Sequence, residues 1–195
     1  MTKRTVVFAA MVLWGLVVLP AHAQQGPTQI ELNAASSNAA DWLHTNHDYG
    51  GQRFVDATEI NRQNVHLLQR TCVYRLEDLY PFHTNPIVYR GLMYITTPYA
   101  TIALDPVTCR VRWRHDWEAK ARENWRQNRG IAVKDGKVIR GTHDGYLMAL
   151  DAETGRLLWE RAAADAAGGE TFTMPVLRQK VVRVAGAPSG SLPTG

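Results

Sequence analysis

Two cysteines and one histidine-rich loop are the residues of this 195-residue chain whose types and spacing first suggest chemistry. Cys72 and Cys109 stand outside any C-x-x-C or C-x-x-C-H pattern, which leaves a zinc clip and covalently attached haem unsupported. They remain either a disulfide or two buried thiols. A bridge would close a loop worth about 4 kcal/mol on a chain-entropy basis. His44-Thr45-Asn46-His47-Asp48 brings two imidazoles and a carboxylate within reach of one ion, a spacing that suits a metal ligand set or an ordinary polar loop. No Gly-x-Ser-x-Gly elbow, phosphate loop or dinucleotide fingerprint occurs, so nucleophilic-serine and nicotinamide chemistry find no support. The 22 Lys and Arg are interspersed with 18 Asp and Glu rather than gathered on one face, which argues against nucleic acid as a partner.

The first residues read as an address. Lys3 and Arg4 precede an apolar run from Val6 to Leu19, then Pro20 and Ala21-His22-Ala23, the pattern of a secretory signal cleaved after Ala23. The run is shorter than the roughly 18 to 20 apolar residues of a membrane span, which leaves an uncleaved anchor as the weaker alternative. Residues 1–23 are therefore expected to be a signal peptide, residues 24–175 the folded part and 176–195 a truncated or divergent tail. Export to the periplasm would place both cysteines in an oxidising compartment and favour the bridge.

A repeat sets the architecture. Gly91 to Trp113 matches Gly136 to Trp159, and from Ala-Leu-Asp to Trp the copies lie 46 residues apart. A third copy begins at Pro175. A period in the forties made of short β-rich runs is that of a four-stranded propeller blade; a parallel β-helix, with shorter turns, is the alternative. Strands are predicted at Leu92–Thr96, Lys137–Arg140, Thr101–Leu104 and Tyr146–Leu150, with a tight turn at Asp151, where Thr154 bonds backbone and Gly155 takes a positive φ before Arg156–Trp159. Each closing tryptophan suits packing between blades. In the first copy Cys109 occupies the place of the turn glycine, a left-handed position that a disulfide to Cys72 would compensate. Helices are predicted at Ala57–Leu68, with Asp56 as cap, and at Glu118–Asn128.

The pattern Ala-Leu-Asp-x-x-Thr-Gly-x-x-x-Trp, complete at Ala149–Trp159, is similar to the tryptophan-docking motif of propellers that bind pyrroloquinoline quinone (PQQ), a motif that non-enzymes share. Trp42, then Asp48-Tyr49-Gly50-Gly51-Gln52-Arg53-Phe54, then Glu59-Ile60-Asn61-Arg62-Gln63-Asn64-Val65, resembles the lead-in of quinoprotein alcohol and sugar dehydrogenases. The likeness runs from about Asp41 to Pro175. It implies an all-β propeller, eight-bladed in the full-length family, of which this chain would be an N-terminal fragment of roughly three blades, one incomplete.

The resemblance also implies site residues. Asn128-Arg129-Gly130 is similar to the family step whose arginine contacts PQQ. Thr171-Phe172-Thr173-Met174-Pro175 resembles the segment whose threonine, here Thr173, meets a PQQ carboxylate. Phe82-His83-Thr84-Asn85-Pro86 has His83 where the family carries a glutamate or glutamine beside the cofactor. A guanidinium suits a tricarboxylated quinone, because it forks onto paired oxygens and stabilises negative charge.

Methanol-dehydrogenase-type members carry a vicinal cysteine pair where this sequence has Glu123 and Asn124, a departure that leans toward sugar or polyol oxidation. The family's calcium ligands and catalytic aspartate would come later in the chain, and no carboxylate follows Glu170. The implied activity is thus oxidation of an alcohol or sugar hydroxyl with PQQ and calcium, passing electrons to an acceptor associated with the membrane, with this chain alone inactive. A non-catalytic periplasmic propeller scaffold that binds proteins is the rival reading.

Overall fold

The structure is a computed structural model that describes residues 26–77 and 80–176; the expected signal peptide and the tail beyond Val176 lie outside the described residues. Eight strands form two four-stranded antiparallel sheets. The first holds β1 (Ile87–Tyr89), β2 (Leu92–Thr96), β3 (Ala100–Leu104) and β4 (Val111–Asp116), paired in that order. The second repeats it with β5 (Ala132–Lys134), β6 (Lys137–Gly141), β7 (Tyr146–Asp151) and β8 (Leu157–Ala162). Both sheets have a register shift at the same place, Ala103/Leu104 in one and Ala149/Leu150 in the other. This is the propeller-blade fold expected from the repeat.

The last turn of each sheet shows why the motif repeats. Asp151 Oδ1 accepts the Glu153 and Thr154 backbone N–H groups at 3.1 and 2.9 Å and the Thr154 hydroxyl at 2.8 Å. Asp105 Oδ1 does the same for Val107 and Thr108, both at 2.9 Å. Gly155 sits at φ 72° and Cys109 at φ 58°, so the residue standing in for glycine adopts the left-handed conformation. Cys109 is disulfide-bonded to Cys72 across a Cα separation of 5.7 Å, within the usual range for a bridge. The bond pins segment 72–76, whose Tyr74 and Leu76 cover the Ile95, Ala100, Ile102 and Leu104 face of the first sheet.

The sheets meet through Trp113, whose Nε1 donates to the Ala152 carbonyl at 3.0 Å and whose ring lies on Gly155. A Cβ at Gly155 would stand 2.5 Å from that ring, so glycine is required there for space as well as for φ. One core runs through both sheets, including Ile87, Tyr94 and Trp113 on one side and Val138, Met148 and Leu150 on the other. Trp159, the equivalent residue of the second sheet, is 43% exposed.

Polar contacts tie the sheets as firmly as apolar ones. Arg140 on β6 is fully buried and donates to the Ala100, Thr97 and Pro98 carbonyls and the Thr101 hydroxyl of the first sheet, at 2.8 to 3.1 Å. Burial lowers this guanidinium to about 10, while the Asp144 charge opposes the shift. Asp144, in the β6–β7 turn, accepts the Trp117 indole N–H at 2.9 Å and the Lys120 backbone N–H at 2.7 Å. That turn is where the second copy carries its extra residue.

Both predicted helices are corrected. Within Ala57–Leu68 only Val65–Leu67 is helical, as one 3-10 turn. Asn64 Oδ1 caps the Asn61 N–H, Asn61 Oδ1 takes the Gln63 N–H and Asn64 Nδ2 holds the Glu59 carbonyl, so side chains replace helical partners. Segment Glu118–Asn128 contains no helix. Its N–H groups are used across the blade boundary, Lys120 to Asp144 and Asn124 to the His143 carbonyl, and Trp125 is left-handed at φ 46°. A short capped helix, α1 (Gln29–Asn33), precedes the repeats, with Thr28 and Glu31 forming a reciprocal capping box.

Candidate functional site

The residues just before each repeat's first strand carry the site. Asn85, Arg129 and Thr173 are spaced 44 residues apart, close to the repeat period, and Asn85 and Arg129 stand just before β1 and β5. Their backbones form a ladder: the Asn85 N–H donates to the Arg129 carbonyl and the Arg129 N–H to the Thr173 carbonyl, each at 3.0 Å. Asn85 Nδ2 adds a second bond to the Arg129 carbonyl at 2.9 Å. Gly130 follows at φ 131°, and a Cβ there would press on the Asn85 carbonyl at 3.0 Å.

Arg129 is thereby fixed at both backbone atoms before its side chain is considered. Its Nη1 donates to Thr173 Oγ1 at 3.0 Å and approaches Met174 Sδ at 3.7 Å. Two of the three site residues implied by the resemblance, Arg129 and Thr173, are therefore in contact. His83 is not with them: it is exposed and does not line the cleft described next.

That cleft has a volume of about 510 Å³ and opens between the lead-in segment and the start of the repeats; Arg129, Asn85, Asp48, Arg53 and Met174 are among its walls. Its size falls in the range of about 300 to 1,000 Å³ usual for small-molecule sites. Arg129 keeps donors on Nε and Nη2 that no described side chain takes, so the site fits an anionic planar cofactor such as PQQ.

Metal chemistry has less to stand on. No cluster of three or more His, Cys, Asp or Glu side chains among the described residues is arranged to hold an ion. His44 and His47 instead place Nε2 against the Leu32 and Asn38 carbonyls, at 3.0 and 3.1 Å.

Sequence reasoning missed Asn128 and Asn85. Asn128 is buried, accepts from Thr96 Oγ1 and the Gly130 N–H, and donates to the Gly141 carbonyl, at 2.8 to 2.9 Å, locking the step that carries Arg129. At the position of the vicinal cysteines, Glu123 accepts from the Tyr99 hydroxyl and from Arg126 Nε, both at 2.7 Å, and lies 3.9 Å from His143 Nε2. Burial, then that carboxylate, raises the Tyr99 phenol.

Comparison with known proteins identifies the family. The profile of the PQQ glucose/ethanol/alcohol dehydrogenase β-propeller domain matches residues 42–165. The chain is 34% identical over 164 residues to the dehydrogenase subunit of an alcohol dehydrogenase (quinone) from Gluconobacter oxydans, covering 80% of this chain and 22% of that protein. It is 36% identical over 128 residues to a 1-butanol dehydrogenase (cytochrome c) from Thauera butanivorans, covering 62% of this chain and 18% of the relative. The solved quinohemoprotein alcohol dehydrogenase ADHIIG from Pseudomonas putida HK5 superposes with a TM-score of 0.71 at 32% identity, over 77% of this chain and 23% of that one. All three are alcohol dehydrogenases. The chain thus spans roughly a fifth of the relatives' length, and it belongs to the PQQ-dependent alcohol dehydrogenase β-propeller family.

Proposed function

We propose that this chain supplies one wall of a PQQ site used to oxidise alcohols. The observation that carries the reading is the placement of Arg129, clamped between Asn85 and Thr173 and lining a cleft of sufficient size. When bound, PQQ supplies a two-electron acceptor for hydride from an alcohol carbon. Arg129 would fork onto a carboxylate and Thr173 would hold that guanidinium in place, so both bind and orient. The single carboxylate lining the cleft, Asp48, has Oδ1 tied to the Gly51 N–H at 2.8 Å, and we assign it no part in moving the substrate proton. Acting alone, the chain is expected to bind PQQ without turnover. His83 is retained as a cofactor residue on the family resemblance alone. A c-type cytochrome is the acceptor suggested by the Thauera relative's name. Export to the periplasm is proposed on the apolar run Val6–Leu19 and the Cys72–Cys109 bridge.

Calorimetric titration of the purified chain with PQQ tests this. Saturable binding is expected, with Arg129→Gln weakening it at least about tenfold through loss of a charge-assisted pair. Dye-linked ethanol oxidation should stay at background. Absence of binding, or equal binding by Arg129→Gln, refutes the assignment.

A further inference from the structure

A second guanidinium shares the cleft with Arg129. Arg53 lines the same walls, from the lead-in segment rather than from a repeat. Its N–H donates to the Asn46 carbonyl at 3.2 Å and its Nε to Asn46 Oδ1 at 2.7 Å, so the partner is a neutral amide. Its two terminal nitrogens take no acceptor among the described residues, and neither Arg53 nor Arg129 is ion-paired there. Arg53 also holds φ at 53°, a left-handed conformation that L side chains rarely adopt, and such positions concentrate where a side chain is aimed for function. Asp48 is the acid on these walls, with one oxygen engaged by the Gly51 N–H. The cleft therefore presents two arginines against one aspartate.

We propose that Arg53 is a second carboxylate anchor, which with Arg129 grips two separate carboxylates of a planar aromatic polycarboxylate. The proposal rests on the reading of the cleft as a PQQ site and adds to it a residue outside the repeats. One guanidinium can fork onto a single carboxylate, whereas a rigid ligand bearing several needs a second cation displaced from the first to fix its rotation. Asn46 supplies the fixing of Arg53 that Thr173 supplies for Arg129.

The test is calorimetric titration of PQQ into the wild-type chain and into Arg53→Lys, Arg53→Gln, Arg53→Glu and Arg129→Gln, at two salt concentrations. Arg53 is exposed, so matching thermal transitions are expected. Affinity should fall in the order wild type, Lys, Gln, Glu, with Gln at least about tenfold weaker and its salt dependence shallower. A role confined to loop structure would not separate Gln from Glu. If Arg129→Gln binds weakly while the Arg53 variants bind as wild type does, Arg53 is no anchor and the cofactor site stands. If wild type fails to bind, or Arg129→Gln matches it, the site itself is refuted and Arg53 falls with it.

Discussion

Arg140→Met is the most direct test of what joins the two sheets. The arginine side chain is fully buried and satisfies three carbonyls and one hydroxyl of the neighbouring sheet, at 2.8 to 3.1 Å, with no carboxylate in direct contact. Methionine fills similar volume and spares the desolvation of a charge, which offsets part of the loss. It withdraws the charged donors of the Thr97, Pro98 and Ala100 carbonyls and the Thr101 hydroxyl in a dry interface, at about 1 to 3 kcal/mol for each acceptor left unsatisfied, although the Ala100 carbonyl keeps the Thr97 N–H. With that offset, the net cost should be about 3 kcal/mol. In urea, where m for a chain of this size is about 2 kcal/mol/M, the midpoint should fall by about 1.5 M with m unchanged. Arg140→Lys should fall by a similar amount, because one ammonium cannot reach acceptors spread along β3 and the Thr97–Pro98 turn. A midpoint within about 0.3 M of wild type for the methionine variant would show that these bonds do not hold the sheets together.

Two other properties follow from the same contacts. Cys72→Ser should cost about 4 kcal/mol by freeing a loop of 37 residues, read as a lower urea midpoint; adding Cys109→Gly in that background should return about 1 kcal/mol, since φ is 58° there. Burial pushes the His143 and His115 rings below their ordinary value, so the unfolded chain takes up protons first as pH falls through about 6.5. Stability contributed by the neutral rings is therefore present above that pH and declines as pH falls below about 6.5. His143→Phe, which keeps the edge contact with Tyr99, should flatten the decline in equilibrium unfolding; an unchanged slope would refute it.

The repeat made most of the fold legible. Strand β2 runs over the predicted residues, and β6 and β7 each extend one residue beyond them, because alternating apolar side chains and fixed turn residues are local signals. The left-handed Cys109 was legible for the same reason, by alignment with Gly155. The two helices were misread because their segments look amphipathic in isolation, yet their backbone groups are claimed by Asn61 and Asn64 in one case and by the neighbouring blade in the other. The role of Arg140 was not legible, since nothing in a single sequence distinguishes a buried guanidinium from a surface one. Arg129 and Thr173 came from family resemblance, and Asn85 was hidden because a lone asparagine in a loop carries no periodic signal.

This division follows from how the site is built. Asn85 and Arg129 each stand just before the first strand of a sheet, so their separation is a property of how the two sheets are angled, not of either side chain. That angle between the first two sheets is set far from the cleft, by Trp113 on Gly155 and by Arg140 on the β2–β3 turn. Asn128 connects the two regions, since it bonds Thr96 at the end of β2 and Gly141 at the end of β6. Loosening the interface should then shift the Asn-Arg-Gly step before the chain unfolds, and Arg140→Met should weaken PQQ binding at urea concentrations where its strands are still formed.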